Sequence, residues 1–276
     1  MIKIISDSSC DLPEHLLKKY DISIVPLVIT LDGEVYREGA DLTPEDFFRK
    51  MFSSTELPKT SQPSPSSFAE AFLRLRETEN QQLLCLTISS GLSGTYQSAS
   101  IGKGLAEADV YVFDTLAGSL GHGLQVIRAA ELAQAGHSIN DIIRELEEYR
   151  NQMTILIMLD TLENIVKGGR LNRFQGSLAK ILNIKVILQG NQGEVEILEK
   201  VRGRKKVHQR LFDIIKSKKD DFSTTVFGIT HTGNLEEAEK IRDEIQKQFQ
   251  PKEILFHYMG AAMGTYAGKG GMIISF

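Results

Sequence analysis

Short apolar runs alternate with stretches of helical periodicity along most of this chain, and that alternation is the tightest constraint on its fold. Runs rich in Ile, Val and Leu fall at Ile2–Ile5, Ile22–Leu31, Leu83–Ile88, Val110–Phe113, Thr154–Leu159, Ile184–Leu188, Val195–Leu198, Thr225–Thr230 and Gly271–Ser275. They read as strands and the gaps between them as helices, so the pattern predicts an α/β protein with largely parallel sheets. Ile139, Ile142, Ile143, Leu146 and Tyr149 recur at helical spacing, as do Leu235, Ala238, Ile241, Ile245 and Phe249. Each stripe is expected to lie on a sheet. Thr43-Pro44-Glu45-Asp46 supplies a cap, a proline at the first helical position and acids in the first turn, and Ser67-x-x-Glu70 reads as a capping box ahead of Phe68. The 276 residues suffice for a sizeable core. A polar helix end followed by a fresh apolar strand at Arg150–Met153 divides the chain into two expected domains, 1–152 and 153–276.

Charge and cysteine content exclude several classes. Lys and Arg number 32 against 36 Asp and Glu, a net charge of −4 with the signs mixed, so the basic footprint of a nucleic-acid binder is missing. Cys10 and Cys85 are too few for a disulfide scaffold or a cysteine zinc site and fit a cytoplasmic protein. The opening Met1–Ile5 run reaches Ser6-Asp7-Ser8 too early for a signal peptide. No apolar run approaches the roughly 18 to 20 residues of a membrane span, so stable membrane insertion is not expected.

The densest group of hydrogen-bond donors is Ser89-Ser90-Gly91-Leu92-Ser93-Gly94-Thr95, which follows the Leu83–Ile88 strand and opens into a helix. The first N–H groups of a helix lack internal partners and sit at its positive end, so this turn reads either as an ordinary cap or as a trap for a carboxylate or phosphate. Ser6-Asp7-Ser8-Ser9, Lys59-Thr60-Ser61-Gln62-Pro63-Ser64-Pro65, Lys167-Gly168-Gly169-Arg170 and the glycine-rich stretch Gly260–Gly271 occupy comparable positions. In open α/β sheets ligands collect where such loops converge. Ser8 and Ser9 read as a plain turn, whereas Asp7 is placed to orient hydroxyls or to accept backbone donors from the next loop. Prolines 63 and 65 stiffen the segment after Thr60. Arg170, behind two glycines, reads as a solvated residue or as an anion clamp with Lys167 in support.

Enzyme signatures fail on spacing. In Gly91-Leu92-Ser93-Gly94-Thr95 the second glycine follows the serine directly, one residue too early for a nucleophile elbow. Gly264-Thr265-Tyr266-Ala267-Gly268-Lys269-Gly270 has three residues between its first two glycines, where a P-loop has four, and no hydroxyl after the lysine. His231 is the one histidine placed at a strand end, and no metal-ligand spacing occurs. Donors for an anion without a base, a metal or a convincing nucleophile favour binding over catalysis.

Taken together these segments, with Val112-Phe113-Asp114-Thr115, Lys200–Lys206 and His231-Thr232-Gly233-Asn234, resemble the DegV family of bacterial fatty-acid-binding proteins, including the fatty-acid-binding subunits of fatty acid kinase. The resemblance spans the chain. It implies two α/β domains with one long-chain fatty acid in the cleft between them, the head group near the cleft and the tail in the C-terminal domain. It implies head-group contacts at Thr60, Ser61, Ser93, Gly94 and Thr95. The third contact falls on Tyr266, where the family usually has His within Gly-Thr-His-x-Gly-x-Gly. Arg170, Lys167 and Arg202 are then expected to contact the phosphate or the partner, a separate ATP-dependent kinase that phosphorylates the presented carboxylate. The protein itself would carry the acyl chain, and possess neither cofactor nor catalytic residue. Two alternatives remain open at this point, a serine-dependent acyl hydrolase using Ser93 and a lipid sensor without a kinase.

Overall fold

In the computed structural model, which describes residues 2–78, 81–171, 185–201 and 203–276, the chain begins with β1 (Lys3–Asp7), a 3-10 turn at Ser8–Cys10, α1 (Glu14–Lys19) and β2 (Ile22–Val25). The apolar run from Ile22 to Leu31 does not form one strand as expected. Pro26 has no N–H to give a ladder, and after it the chain turns into β3 (Val28–Leu31), which belongs to a different sheet. There follow β4 (Glu34–Arg37), α2 (Pro44–Met51), β5 (Lys59–Ser61), α3 (Pro65–Leu75), β6 (Leu83–Thr87), α4 (Thr95–Ala106), β7 (Val110–Asp114), α5 (Leu120–Gln134) and α6 (Ile139–Gln152). The remainder comprises β8 (Ile155–Leu159), α7 (Glu163–Lys167), β9 (Lys185–Asn191), β10 (Glu194–Val201), α8 (Arg204–Lys218), β11 (Val226–His231), α9 (Leu235–Phe249), β12 (Glu253–Tyr258), α10 (Ala261–Ala267) and β13 (Met272–Ser275).

These strands make three sheets, and the α/β class stands. The order β2-β1-β6-β7 is parallel throughout, as the strand and helix alternation predicts. The six-stranded sheet, β10-β9-β8-β13-β11-β12, pairs in parallel only between β11 and β12. Its other pairs are antiparallel because β9 and β10 form a hairpin and β13 returns between β8 and β11. The expectation of largely parallel pairing therefore describes the first sheet and not this one. A small antiparallel sheet, β4-β3-β5, completes the set. Sequence patterning missed β4 and β5, which are short and exposed, and β12, a half-buried edge strand.

Helix starts follow the caps. Thr43 Oγ1 accepts the Asp46 N–H at 3.2 Å, as its motif predicts. The start of α3 lies earlier than Ser67: Ser64 is the cap, accepting the Ser67 N–H at 3.1 Å with Pro65 in the first turn. Ile142, Ile143 and Leu146 are buried on α6, and Ala238, Ile241 and Ile245 on α9, while Leu235 at the start of α9 is exposed. Both cysteines are unpaired and buried. No helix of the described residues is long and apolar enough to cross a membrane.

The core sets the geometry of the site. Leu27, Ile29, Leu31, Phe47 and Phe48 pack with Ile157, Leu159, Leu188 and Ile273, so the excursion after Pro26 lies on the six-stranded sheet although its flanking strands belong to the parallel one. That placement carries β5 across to α10.

Burial has a cost in acid. His231 is 1% exposed and sits between Phe256 and Tyr258, with ring centroids 5.2 and 4.6 Å away. Burial, with a smaller push from His257, drives its imidazole down to about 4 from 6.5. The unfolded chain takes up this proton near pH 6.5 and the folded one resists until about 4, so stability is lost as pH falls through that window. Urea unfolding should show the folding constant dropping by up to about tenfold per pH unit between 6.5 and 4. His231→Phe, which keeps the ring contacts, should flatten the slope; an unchanged slope would assign the acid sensitivity to other groups.

Candidate functional site

The site begins at the carboxyl ends of two parallel strands. Asp7, fully buried at the end of β1, accepts the Ser9 N–H at 3.0 Å and the Ser9 hydroxyl at 2.5 Å on one oxygen and the Ile88 N–H at 2.7 Å on the other. Asp7 thus both orients a hydroxyl and accepts a donor from the next loop. Ile88 leads into the Ser89–Thr95 turn, so that turn is held at its root. The Ser89 hydroxyl donates to the Gly193 carbonyl at 2.6 Å and docks the β9–β10 hairpin, while the Ser90 N–H donates to Asp114 at 3.2 Å. Ser93 and Thr95 place their hydroxyl oxygens 2.8 Å apart, and the Thr95 N–H donates to Ser93 Oγ at 3.3 Å. Gly94, the residue before α4, supplies no capping side chain. Within one turn, Ser89 holds the fold and Ser93 reaches a cavity.

Opposite this turn, Thr60 on β5 pairs with Ile29 on β3, and its Oγ1 lies 2.5 Å from the phenol oxygen of Tyr266 on α10. Arg170 stacks on the Tyr266 ring at 4.6 Å from its centroid, donating from Nη1 to the Gly168 carbonyl at 2.5 Å and from Nε to the Leu92 carbonyl at 3.3 Å. One guanidinium therefore joins the Gly168-Gly169-Arg170 loop, the serine turn and α10. Gly168 is required by close approach, since a Cβ there would run into the Tyr266 ring. Asn164 Nδ2 donates to the Thr265 carbonyl at 2.9 Å and ties α7 to α10.

Thr60, Ser93, Arg170 and Tyr266 line a cavity of about 700 Å³, open solvent at its mouth included, of which about 70 Å³ can take the centre of a water molecule. Ile157, Leu159, Ile165, Val195 and Ile273 also line it, with Ala262, Met263 and Ala267 of α10. A mostly apolar lining that also carries three hydroxyls and one guanidinium suits an amphiphile with an anionic head.

Among the residues singled out from sequence, Thr60, Ser93, Arg170 and Tyr266 line this cavity. Ser61 is exposed, Gly94 packs against Gln62, and Thr95 is buried behind Ser93; none of the three is a lining residue. Lys167 pairs with Glu163 at 2.5 Å on the exposed side of α7. Arg202 lies outside the described residues. Gln62 and Leu92 also line the cavity; both lie in segments singled out from sequence, but their side-chain types gave no reason to assign them a contact. No group of His, Cys, Asp and Glu suited to a metal ion occurs among the described residues.

Comparison with known proteins places this arrangement. A family model described as "Uncharacterised protein, DegV family" matches residues 1–276. A DegV domain-containing protein of Caldanaerobacter subterraneus is 34% identical over 268 residues, covering 97% of this chain and 95% of its own. A structure of fatty acid binding by a DegV family protein from Thermus thermophilus superposes with a TM-score of 0.93 at 32% identity, covering 100% of this chain and 99% of the other. The crystal structure of DegV from Bacillus subtilis, described as a fatty acid binding protein, gives 0.91 at 30% identity with 99% and 98% covered. The chain belongs to the DegV family.

Gly168 and Gly104 make a paired test of the site's packing. Gly168→Ala should destabilise by about 1 to 3 kcal/mol by displacing Tyr266. Gly104→Ala, in α4 with nothing near its added methyl, should be neutral or stabilising by about 0.5 to 1 kcal/mol. Urea titrations of both variants check this, and equal effects would mean that Tyr266 yields without cost.

Proposed function

We propose that the cavity holds a long-chain fatty acid, its carboxylate at Thr60, Ser93 and Tyr266 and its tail between α10 and the six-stranded sheet. The observation that carries this reading is that three hydroxyl side chains and Arg170 line the same mostly apolar cavity, with Thr60 and Arg170 both in contact with Tyr266. The family adds weight, since structures of relatives from Thermus thermophilus and Bacillus subtilis are of fatty acid binding proteins. An acyl chain of about 16 carbons, at about 0.8 kcal/mol per buried methylene, offers more than about 10 kcal/mol of gross transfer energy before ordering costs. The tail dominates affinity; the donors, each contributing about 1.5 to 3 kcal/mol, offset the desolvation of the head group and fix its position.

Ser61, Gly94 and Thr95 belong to the proposal as supports of Thr60 and Ser93. The division into residues 1–152, carrying the anion loops, and 153–276, holding the chain, belongs to it too, and the separate origins of the two large sheets favour it. The protein then works in the cytoplasm, presenting the carboxylate to a separate ATP-dependent fatty acid kinase and retaining the acyl phosphate. Arg170 is the residue assigned to the phosphate, with Lys167 and Arg202 toward the kinase. A hydrolase using Ser93 is less well supported, because the hydrogen-bond partners of its hydroxyl are Thr95 atoms and not a base.

Denaturing mass spectrometry of protein purified from a bacterial host should release a long-chain fatty acid, and a spectrum empty of lipid with no uptake of added acid would overturn the reading. Thr60→Val and Ser93→Ala should each weaken acid binding by about 1 to 3 kcal/mol and leave affinity for the matching acyl alcohol nearly unchanged. Equal losses for both ligands would show that the hydroxyls act through packing.

A further inference from the structure

A second buried polar group lies at the start of α10, away from the head-group donors. Asp11 and Glu38 are each 6% exposed. Asp11 Oδ2 accepts the Ser119 hydroxyl at 2.6 Å, and Ser119 Oγ is 2.8 Å from Thr230 Oγ1 on β11. Glu38 Oε2 accepts the Ser8 hydroxyl at 2.5 Å, while Oε1 accepts the Ala262 N–H at 2.7 Å. Every oxygen of the pair is thereby engaged except Asp11 Oδ1, which is buried without a partner. Asp11 Oδ1 and Glu38 Oε1 flank Gly260, where an added side chain would run into Asp11 Oδ1 and would approach Glu38 Oε1 to 2.8 Å.

We propose that Asp11 and Glu38 share one proton at neutral pH, and that this proton is a pH-sensitive clasp holding the start of α10 to the first turn of the chain. Two carboxylates this near one another, away from water, cannot both ionise cheaply. The groups that act most strongly on the two acids include no cation: Asp7 is a like charge, and Ser8, Ser119 and the backbone at Gly260, Ala261 and Ala262 are neutral. Of the other titratable groups on the neighbouring cavity, His257 is held below the ordinary imidazole range by burial and stays neutral, and Cys10 is pushed far up by burial and stays a thiol. Tyr258 completes that set. Burial and mutual repulsion raise Asp11 well above the usual carboxylate range, and burial raises Glu38 also. The pair titrates as a unit, with one proton retained after the first is lost. A proton on Asp11 Oδ1 turns the one unpartnered oxygen into a donor beside Gly260, next to Glu38. A charge on Glu38 meets the Ala262 N–H at the start of α10; a second charge on Asp11, with the Ser119 hydroxyl and the Gly260 backbone beside it, is opposed by burial and by Glu38.

The consequence for ligand follows from α10, four of whose residues, Ala262, Met263, Tyr266 and Ala267, line the main cavity. Loss of the shared proton loosens that wall and speeds release of the acyl chain, a step that rests on the fatty-acid reading. The clasp itself does not.

The sign of the effect is fixed. In the unfolded chain both acids lose their protons near ordinary carboxylate values, and the folded protein holds one to higher pH. Stability attributable to the pair therefore falls as pH rises through that window, by up to about tenfold in the folding constant per unit. Buried histidines act in the opposite direction below pH 6.5, so the comparison is made above it. In lipid-free protein at pH 7, infrared spectroscopy should show the carbonyl stretch of a protonated carboxyl that Asp11→Asn removes. Urea unfolding from pH 6.5 to 9 should show wild type losing stability relative to Asp11→Asn and to Glu38→Gln. If Asp11→Asn fails to fold, the wild-type band and the Glu38→Gln comparison still decide. Absence of a protonated carboxyl at pH 7, or parallel pH profiles for wild type and variants, overturns the clasp. If band and slope persist but no fatty acid binds at any pH, the ligand reading fails and the clasp stands.

Discussion

A charged head group can rest at the end of an apolar cavity only if the donors around it are already ordered, and in this fold the buried carboxyl of Asp7 begins that ordering. Its bonds to Ser9 and to the Ile88 N–H lock the end of β1 to the end of β6. From Ile88 the order passes into the Ser89–Thr95 turn, where Ser89 grips the β9–β10 hairpin and Ser93 is left at the cavity. Removing the Asp7 carboxyl would leave the Ile88 N–H buried without its acceptor and free the root of the turn.

The second constraint is the break at Pro26. It releases residues 27 to 61 from the parallel sheet, and their packing on the six-stranded sheet brings Thr60 to Tyr266 across a sequence separation of 206. Arg170 then stacks on the same phenol and bonds to the serine turn. Three segments far apart in sequence converge on one aromatic ring, so the donors of the proposed head-group site are held by protein contacts before any ligand arrives. That preorganisation lets neutral hydroxyls serve a carboxylate without a large ordering cost.

Much of this was legible in the residues themselves. The α/β alternation, the Thr43 cap and the two uses of Asp7 follow from local chemistry, and local chemistry is visible in sequence. Family resemblance added Thr60 and Ser93, which do line one cavity. What stayed hidden depends on tertiary packing. The break at Pro26 is masked by the mostly apolar residues on either side of it, and Ser64 and Ser67 both suit a cap, so sequence alone does not choose between them. Asn164 carries no motif, and Gln62 has no role that its place between Thr60 and Pro63 would suggest; one matters through a carbonyl about a hundred residues away, the other through the space beside Gly94. The antiparallel pairing of β13 with β8 and β11 is likewise a choice made by the sheet, not by the strand.

The central claim is that one amphiphile lies with its head among Thr60, Ser93 and Tyr266 and its tail beneath α10. A crystal structure of the complex with a long-chain fatty acid brominated at its terminal carbon tests the orientation directly. Anomalous bromine density among Ile157, Leu159 and Ile273, with the carboxylate within hydrogen-bond distance of the three hydroxyls, is the predicted result. Bromine density beside Thr60 and Arg170, or at a different cavity, would contradict the account.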